Sequence, residues 1–300
     1  MRALRVKWLG LVGSAIVLLA AAAGCGDADE RRPVVTAFYP LAFATEQIAP
    51  DTRIENLTAP GVEPHDLELS ARDVRRVADA AAVLYFGEGF QPALEDAIAS
   101  TGARGVDLLE GLPLLEAGEA HHDEEGEGER EEAEGRDPHV WLDPTRYATI
   151  ARRIGRELGA EERAEAFAAR LRRLDEEFRA RVRVCERREL VTSHAAFGYL
   201  ADRYGLVQVP ITGLGPEAEA TPRQLRDVVR EVREHGATTV FFETLVSPRL
   251  AETVASEVGA ETAVLNPLEG LTKSEVARGE DYFSIMRANL AAIRKALACR

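Results

Sequence analysis

Residues 189–205 read ELVTSHAAFGYLADRYG, a short apolar run that ends at Ser193-His194 and passes at once into a helix-like stretch closed by Gly205. A strand that hands over to a helix in this way is half of a βαβ unit. The handover recurs through the rest of the C-terminal half: VQVPIT (207–212) before TPRQLRDVVREVREHG (221–236), TTVFFE (238–243) before SPRLAETVASEVG (247–259), and TAVLNP (262–267) before DYFSIMRANLAAIRKAL (281–297). The N-terminal half repeats it. VVTAFYP (34–40) precedes LAFATEQIA (41–49), RIENLTAP (53–60) precedes LSARDVRRVADA (69–80), AAVLYFGE (81–88) precedes PALEDAIAS (92–100), and GVDLL (105–109) closes the series. Alternation of this kind predicts an α/β fold with parallel sheets, here in two lobes. Thr221-Pro222 marks a helix start, with Thr as cap and Pro at a position where no N–H is missed.

Between the halves, Tyr147, Ile150, Ile154 and Leu158 recur at helical spacing and stop at Gly159. A second stripe, Phe167, Leu171, Leu174, Phe178 and Val182, predicts a continuous helix over 161–183, on the order of 35 Å long. The stripe covers too few heptads for a coiled-coil arm. The expected organisation is a first lobe over 33–144, a rigid interlobe helical linker over 145–184 and a second lobe over 189–300. Residues 119–136 lie within the first lobe and are dense in acid, without periodicity, so a mobile surface loop carrying His121 and His122 is expected there.

The chain opens with a basic stretch, MRALRVKW, followed by an apolar run shorter than a bilayer span and then by Ala22-Ala23-Gly24-Cys25. This is the layout of an export signal over 1–24, with Cys25 placed for lipidation, or else that of an ordinary secreted protein. Removing residues 1–24 takes away Arg2, Arg5 and Lys7 and no acid, so the formal charge moves from −14 to −17. Such a surplus of acid argues against nucleic acid as a partner, since phosphate binding needs Lys and Arg. Beyond Cys25 the cysteines are Cys185 and Cys299. In an oxidising compartment they are expected to form a disulfide, the alternative being two buried thiols.

The six histidines sort by position. His235, just before Gly236, suits the last turn of a helix. His65, His139 and His194 each follow a strand-like run, at the edge where parallel α/β sheets build ligand sites. Facing one another across a crevice, three imidazoles suit a tetrahedral metal such as zinc, with a carboxylate or water as fourth ligand. Asp281, between a strand-like run and a helix, is the best carboxylate, and a helix N-cap is its competing role. Glu63 and Asp66 flank His65 and compete for the fourth place, while Glu243 is expected to orient a ligand from behind. No HExxH or G-x-S-x-G pattern is present, so no catalytic residues are assigned.

Taken together, GVEPHDLELS (61–70), the acidic loop with its histidine pair, DPHVWLDP (137–144), VTSHAAFGYLADRYGL (191–206), GPEAEATP (215–222), VFFE and the terminal DYFSIMRANLAAIRKAL resemble the metal-binding lipoproteins of bacterial ABC importers for zinc and manganese. The high-affinity zinc-uptake members are the nearest match. The resemblance runs from about Pro33 to the C-terminus. It implies two α/β lobes bridged by a rigid helix, one metal buried between them, and His65, His139, His194 and Asp281 as its ligands. It also implies an ABC permease and its ATPase as partners, attachment to the membrane by the lipid on Cys25, a monomer outside the cytoplasm, and no enzymatic activity. Three imidazoles favour Zn2+ over Mn2+ as the transported ion, because manganese prefers oxygen donors. The rival readings are an exported zinc hydrolase with Glu243 as base, and a surface adhesin that uses metal only for stability.

Overall fold

The computed structural model describes residues 32–116, 135–216 and 220–300; the signal segment, Cys25, His121 and His122 lie outside them. Two four-stranded parallel sheets of identical topology form the frame. The first has the order β2-β1-β3-β4, from β1 (Val34–Thr36), β2 (Ile54–Asn56), β3 (Ala82–Tyr85) and β4 (Gly105–Asp107). The second has the order β6-β5-β7-β8, from β5 (Glu189–Thr192), β6 (Val207–Pro210), β7 (Thr239–Phe242) and β8 (Glu261–Val264). In each sheet the chain leaves the first strand to one side and later returns to the other. The strand order therefore reverses beside β1 and beside β5, and a crevice opens at the carboxyl ends there.

Helices α1 (Tyr39–Ile48), α2 (Ala71–Ala78) and α3 (Pro92–Thr101) connect the first sheet; α6 (Gly198–Tyr204), α7 (Pro222–Glu234), α8 (Arg249–Val258) and the short α9 (Lys273–Ala277) serve the second. Local chemistry fixes several of their starts. Ser70 caps α2 and Thr221 caps α7, each in a reciprocal capping box with the residue three positions on, Asp73 and Gln224. His235 is the C-cap of α7, as its place in the sequence predicts.

The expected interlobe helices are α4 (Pro144–Leu158) and α5 (Glu161–Val182). They form a hairpin that turns at Gly159, so the 15-residue α4 packs against the first part of the 22-residue α5. The hairpin closes tightly because residue 155 is glycine: a Cβ there would collide with that of Ala164. Phe167 of α5 packs on Phe43 of α1 at 5.9 Å and on Phe283 of α10 (Tyr282–Ala296) at 5.8 Å between ring centroids. One apolar core thus runs from the first sheet through α5 to α10, and a smaller one lies between the second sheet and α7 and α8. Each edge-to-face aromatic pair adds about 0.5–1.5 kcal/mol beyond its buried area. The expected bond between Cys185 and Cys299 is present and ties the end of α5 to the chain segment after α10.

Candidate metal centre

Three loops at strand ends and the 3-10 turn Val140–Leu142 deliver the site. His65 lies in the loop after β2, His139 immediately before the 3-10 turn, and His194 two residues after β5. Glu269 lies in the loop between β8 and α9. Each of these four residues offers one donor atom, and all four atoms lie within 4.8 Å of one another. The three Nε2 atoms converge on Glu269 Oε1, at 3.3 Å from His65, 3.0 Å from His139 and 3.2 Å from His194. A tetrahedron with metal–ligand bonds of about 2.0–2.1 Å has edges of about 3.3 Å, so these spacings suit a small tetrahedral cation at the centre.

Of the four residues expected from the sequence, the structure brings His65, His139 and His194 together, joined by Glu269. Asp281 is not in the cluster. Its Oδ1 accepts from Ser284 N at 2.8 Å, its own N–H donates to Ser284 Oγ at 2.9 Å, and it caps α10 in a capping box. Its carboxylate is therefore occupied in satisfying the first turn of that helix. Glu269 takes the place expected of Asp281, and the rule that found the histidines could have found it, because it too follows a strand, in TAVLNPLEG. Glu63 is not one of the four donors either. Its Oε1 accepts from His65 N at 3.2 Å, and Asp66, the other flanking acid, is exposed.

Behind the donors stands a second layer. His194 Nδ1 is 2.6 Å from Glu243 Oε1, the place from which Glu243 would orient a ligand. His139 Nδ1 is 2.7 Å from Asp137 Oδ1, and the same oxygen accepts from His139 N at 2.9 Å. Asp137 was not singled out from the sequence, although an acid two residues before a candidate ligand histidine is itself a signal. These carboxylates hold the Nδ1 protons and turn each Nε2 toward the centre. Among the described residues no carboxylate is hydrogen-bonded to His65 Nδ1; Phe90 stands edge-on to its ring at 4.8 Å. Apart from His65, whose side chain is 13 % exposed, the donors are buried to 1 % or less.

The electrostatics follow from that burial. Burial by itself pulls the imidazoles down, and for His65 it prevails. For His139 the Asp137 carboxylate, with help from Glu269, outweighs it and leaves the ring above its ordinary value. For His194 the Glu243 and Glu269 carboxylates lift it well above. Burial opposes the Glu269 charge, yet the His194 charge and the hydrogen bonds from three imidazoles hold this carboxyl well below the usual range. Glu63 is pushed up to about 9, first by burial and then by the neighbouring Glu269. Two imidazoles raised above their ordinary value and one lowered thus face a single carboxylate oxygen, at a point where a divalent cation would compete with protons.

Aromatic side chains seal the first-lobe side. Phe38, just past β1, packs edge-on against Phe86, Phe90 and Trp141 at 5.3, 5.0 and 5.0 Å. Trp141 lies 5.1 Å from His139, and its Nε1 donates to the Pro267 carbonyl at 2.7 Å.

Comparisons with known proteins agree with this geometry. The family model described as "Zinc-uptake complex component A periplasmic" matches residues 34–296. The high-affinity zinc uptake system protein ZnuA of Bacillus subtilis is 37% identical, over 97% of this chain and 98% of its own length. The zinc-binding protein AdcA of Streptococcus pyogenes is 36% identical over 89% of this chain, which spans only 56% of that longer relative. Among solved structures, the Zn(II)-bound ZnuA-like domain of Streptococcus pneumoniae AdcA superposes with a TM-score of 0.70 at 34% identity, covering 89% of this chain and 98% of that one.

Proposed function

From the premise that this chain belongs to the zinc-uptake complex component A family, we propose that it is the extracytoplasmic zinc-binding component of an ABC importer. It captures Zn2+ between its lobes on His65, His139, His194 and Glu269 and passes the loaded ion to a membrane permease driven by an ATPase. The observation that carries this reading is the convergence of three Nε2 atoms on one carboxylate oxygen in a buried centre. A set of three imidazoles and one carboxylate completes the tetrahedral preference of zinc and leaves no open position for an activated water, which supports binding over hydrolysis. Manganese, which favours oxygen donors and more of them, suits the set less well.

Attachment belongs to the same reading. Cys25 becomes the lipidated N-terminus once residues 1–24 are removed, and the protein works as a monomer on the outer side of the membrane. None of the helices among the described residues is long and apolar enough to cross a bilayer.

The test is the zinc stoichiometry and affinity of the full chain beside Glu269→Gln and Asp281→Asn. One tightly held zinc per wild-type chain, a loss of about 100-fold or more for Glu269→Gln and little change for Asp281→Asn are expected, with Asp281→Asn costing only a fraction of the roughly 1 kcal/mol of a lost cap. Equal affinity in Glu269→Gln and wild type would remove the proposal.

A further inference from the structure

The loop that carries Glu269 has an unusual backbone and an unusual amount of buried polar support. Leu268, the residue before Glu269, has φ +60° and is fully buried. A leucine seldom adopts the left-handed region, because its Cβ crowds the backbone carbonyl, so the surroundings must impose the conformation. What imposes it is Asn266. Its Oδ1 accepts from Leu268 N at 2.7 Å, and its Nδ2 donates to Glu275 Oε1 at 3.0 Å.

Asn266 is in turn held by Asn289 of α10. The Asn289 amide reads the Asn266 backbone from both sides: Oδ1 accepts from Asn266 N at 2.9 Å and Nδ2 donates to Asn266 O at 2.7 Å. Asn266 and Asn289 are 3% and 2% exposed, so neither amide can exchange these partners for water. Glu275 is held by Thr272, whose N–H donates to Glu275 Oε2 at 2.7 Å.

Glu269 itself needs this support. Its Oε1 meets the three imidazoles, but its Oε2 is buried without a hydrogen-bond partner among the described residues. His139 and His194 are braced from behind by Asp137 and Glu243, whereas among the described residues no side chain outside the cluster hydrogen-bonds the Glu269 carboxylate. Its position is set by the backbone it sits on.

We propose that Asn289 is a positioning residue of the metal centre, which acts through Asn266 and the left-handed Leu268 to aim Glu269 at the three imidazoles. The proposal rests on the four-donor reading given above. The hydrogen bonds of the Asn289 amide go to the Asn266 backbone and not to the four donors, so its effect on the ion passes through the loop that carries Glu269. Without it, loop 265–271 relaxes toward an ordinary backbone, the carboxylate withdraws, and water completes the coordination.

A double-mutant cycle tests this. Zinc affinity of the full chain is measured against a chromophoric chelator for wild type, Asn289→Ala, Glu269→Ala and the double variant. Asn289→Ala is expected to weaken zinc by about tenfold, in the range of outer partners of metal ligands, and chiefly through faster release. In the Glu269→Ala background the same substitution is expected to have no further effect. Cobalt-loaded Asn289→Ala should show the weaker ligand-field absorption of a site that has gained water, against strong tetrahedral absorption in the wild type. If Asn289→Ala does not fold, the isosteric Asn289→Asp, which replaces the Nδ2 donor with an acceptor, is put through the same cycle. An equal loss in both backgrounds, or unchanged affinity and cobalt spectrum in a folded variant, overturns the positioning role and leaves the four-donor reading standing. Wild-type affinity in Glu269→Ala overturns both.

Discussion

Trp141 Nε1 donates to the carbonyl of Pro267 at 2.7 Å, and this single bond joins the turn that follows His139 to the loop that precedes Glu269. A second bond, Gly61 N to Leu271 O at 2.8 Å, joins the far end of that loop to the segment leading to His65. The segments that carry the four cluster residues are therefore tied to one another by hydrogen bonds that need no ion. Tyr282 of α10 adds a third tie, its hydroxyl donating to the Trp141 carbonyl at 2.7 Å.

Trp141→Phe keeps an aromatic ring in the cluster but removes the indole donor, leaving the buried Pro267 carbonyl unpaired. A stability loss of about 1–3 kcal/mol is expected, with faster zinc release. Thermal unfolding and stopped-flow chelator chase check the two parts. Unchanged release would show that the bond matters to folding alone.

Zinc affinity should fall with pH, beginning above the ordinary imidazole range. His194 and His139 are raised, so without metal they hold protons at a pH where a free histidine has lost them, and each such proton must leave before Nε2 can coordinate. Glu269 is depressed and stays ionised throughout. In the metal-free protein the raised histidines add stability that is fully present below about pH 6.5 and lost as pH rises through their folded values. The rise in melting temperature on adding zinc should therefore shrink as pH is lowered from about 8 to 6. A zinc shift that is constant over that interval would contradict the proton competition.

Asp137→Asn and Glu243→Gln leave the four donors in place and remove the carboxylates behind two of them. Each is expected to weaken zinc by about 10–100-fold while the protein stays folded. Competition titration reads the loss, and an effect below twofold would mean that the rings are oriented by packing alone.

Replacing Cys185 and Cys299 by serine opens a bond between residues 114 apart. The unfolded chain gains freedom, and a stability loss of about 2–5 kcal/mol is expected. Because the bond lies before β5 and after α10, away from the strand ends that bear the donors, zinc affinity of the folded variant should be unchanged. Denaturant unfolding with and without reductant, paired with a zinc titration, tests both statements.

The α/β alternation, the two parallel sheets, the helix from Glu161, the cap at Thr221 and the convergence of His65, His139 and His194 were all readable without coordinates, because each depends on local periodicity or on the rule that parallel strands end at ligand sites. The fourth member of the cluster was not. Asp281 and Glu269 are both acids that follow β8, and nothing local separates a carboxylate that caps a helix from one that faces three imidazoles. The tertiary structure decided between them: Ser284 engages Asp281, while Asn266, Asn289 and the left-handed Leu268 turn Glu269 inward. Periodicity is written residue by residue along the chain, but the aim of a side chain in a loop depends on hydrogen bonds made by residues distant in sequence.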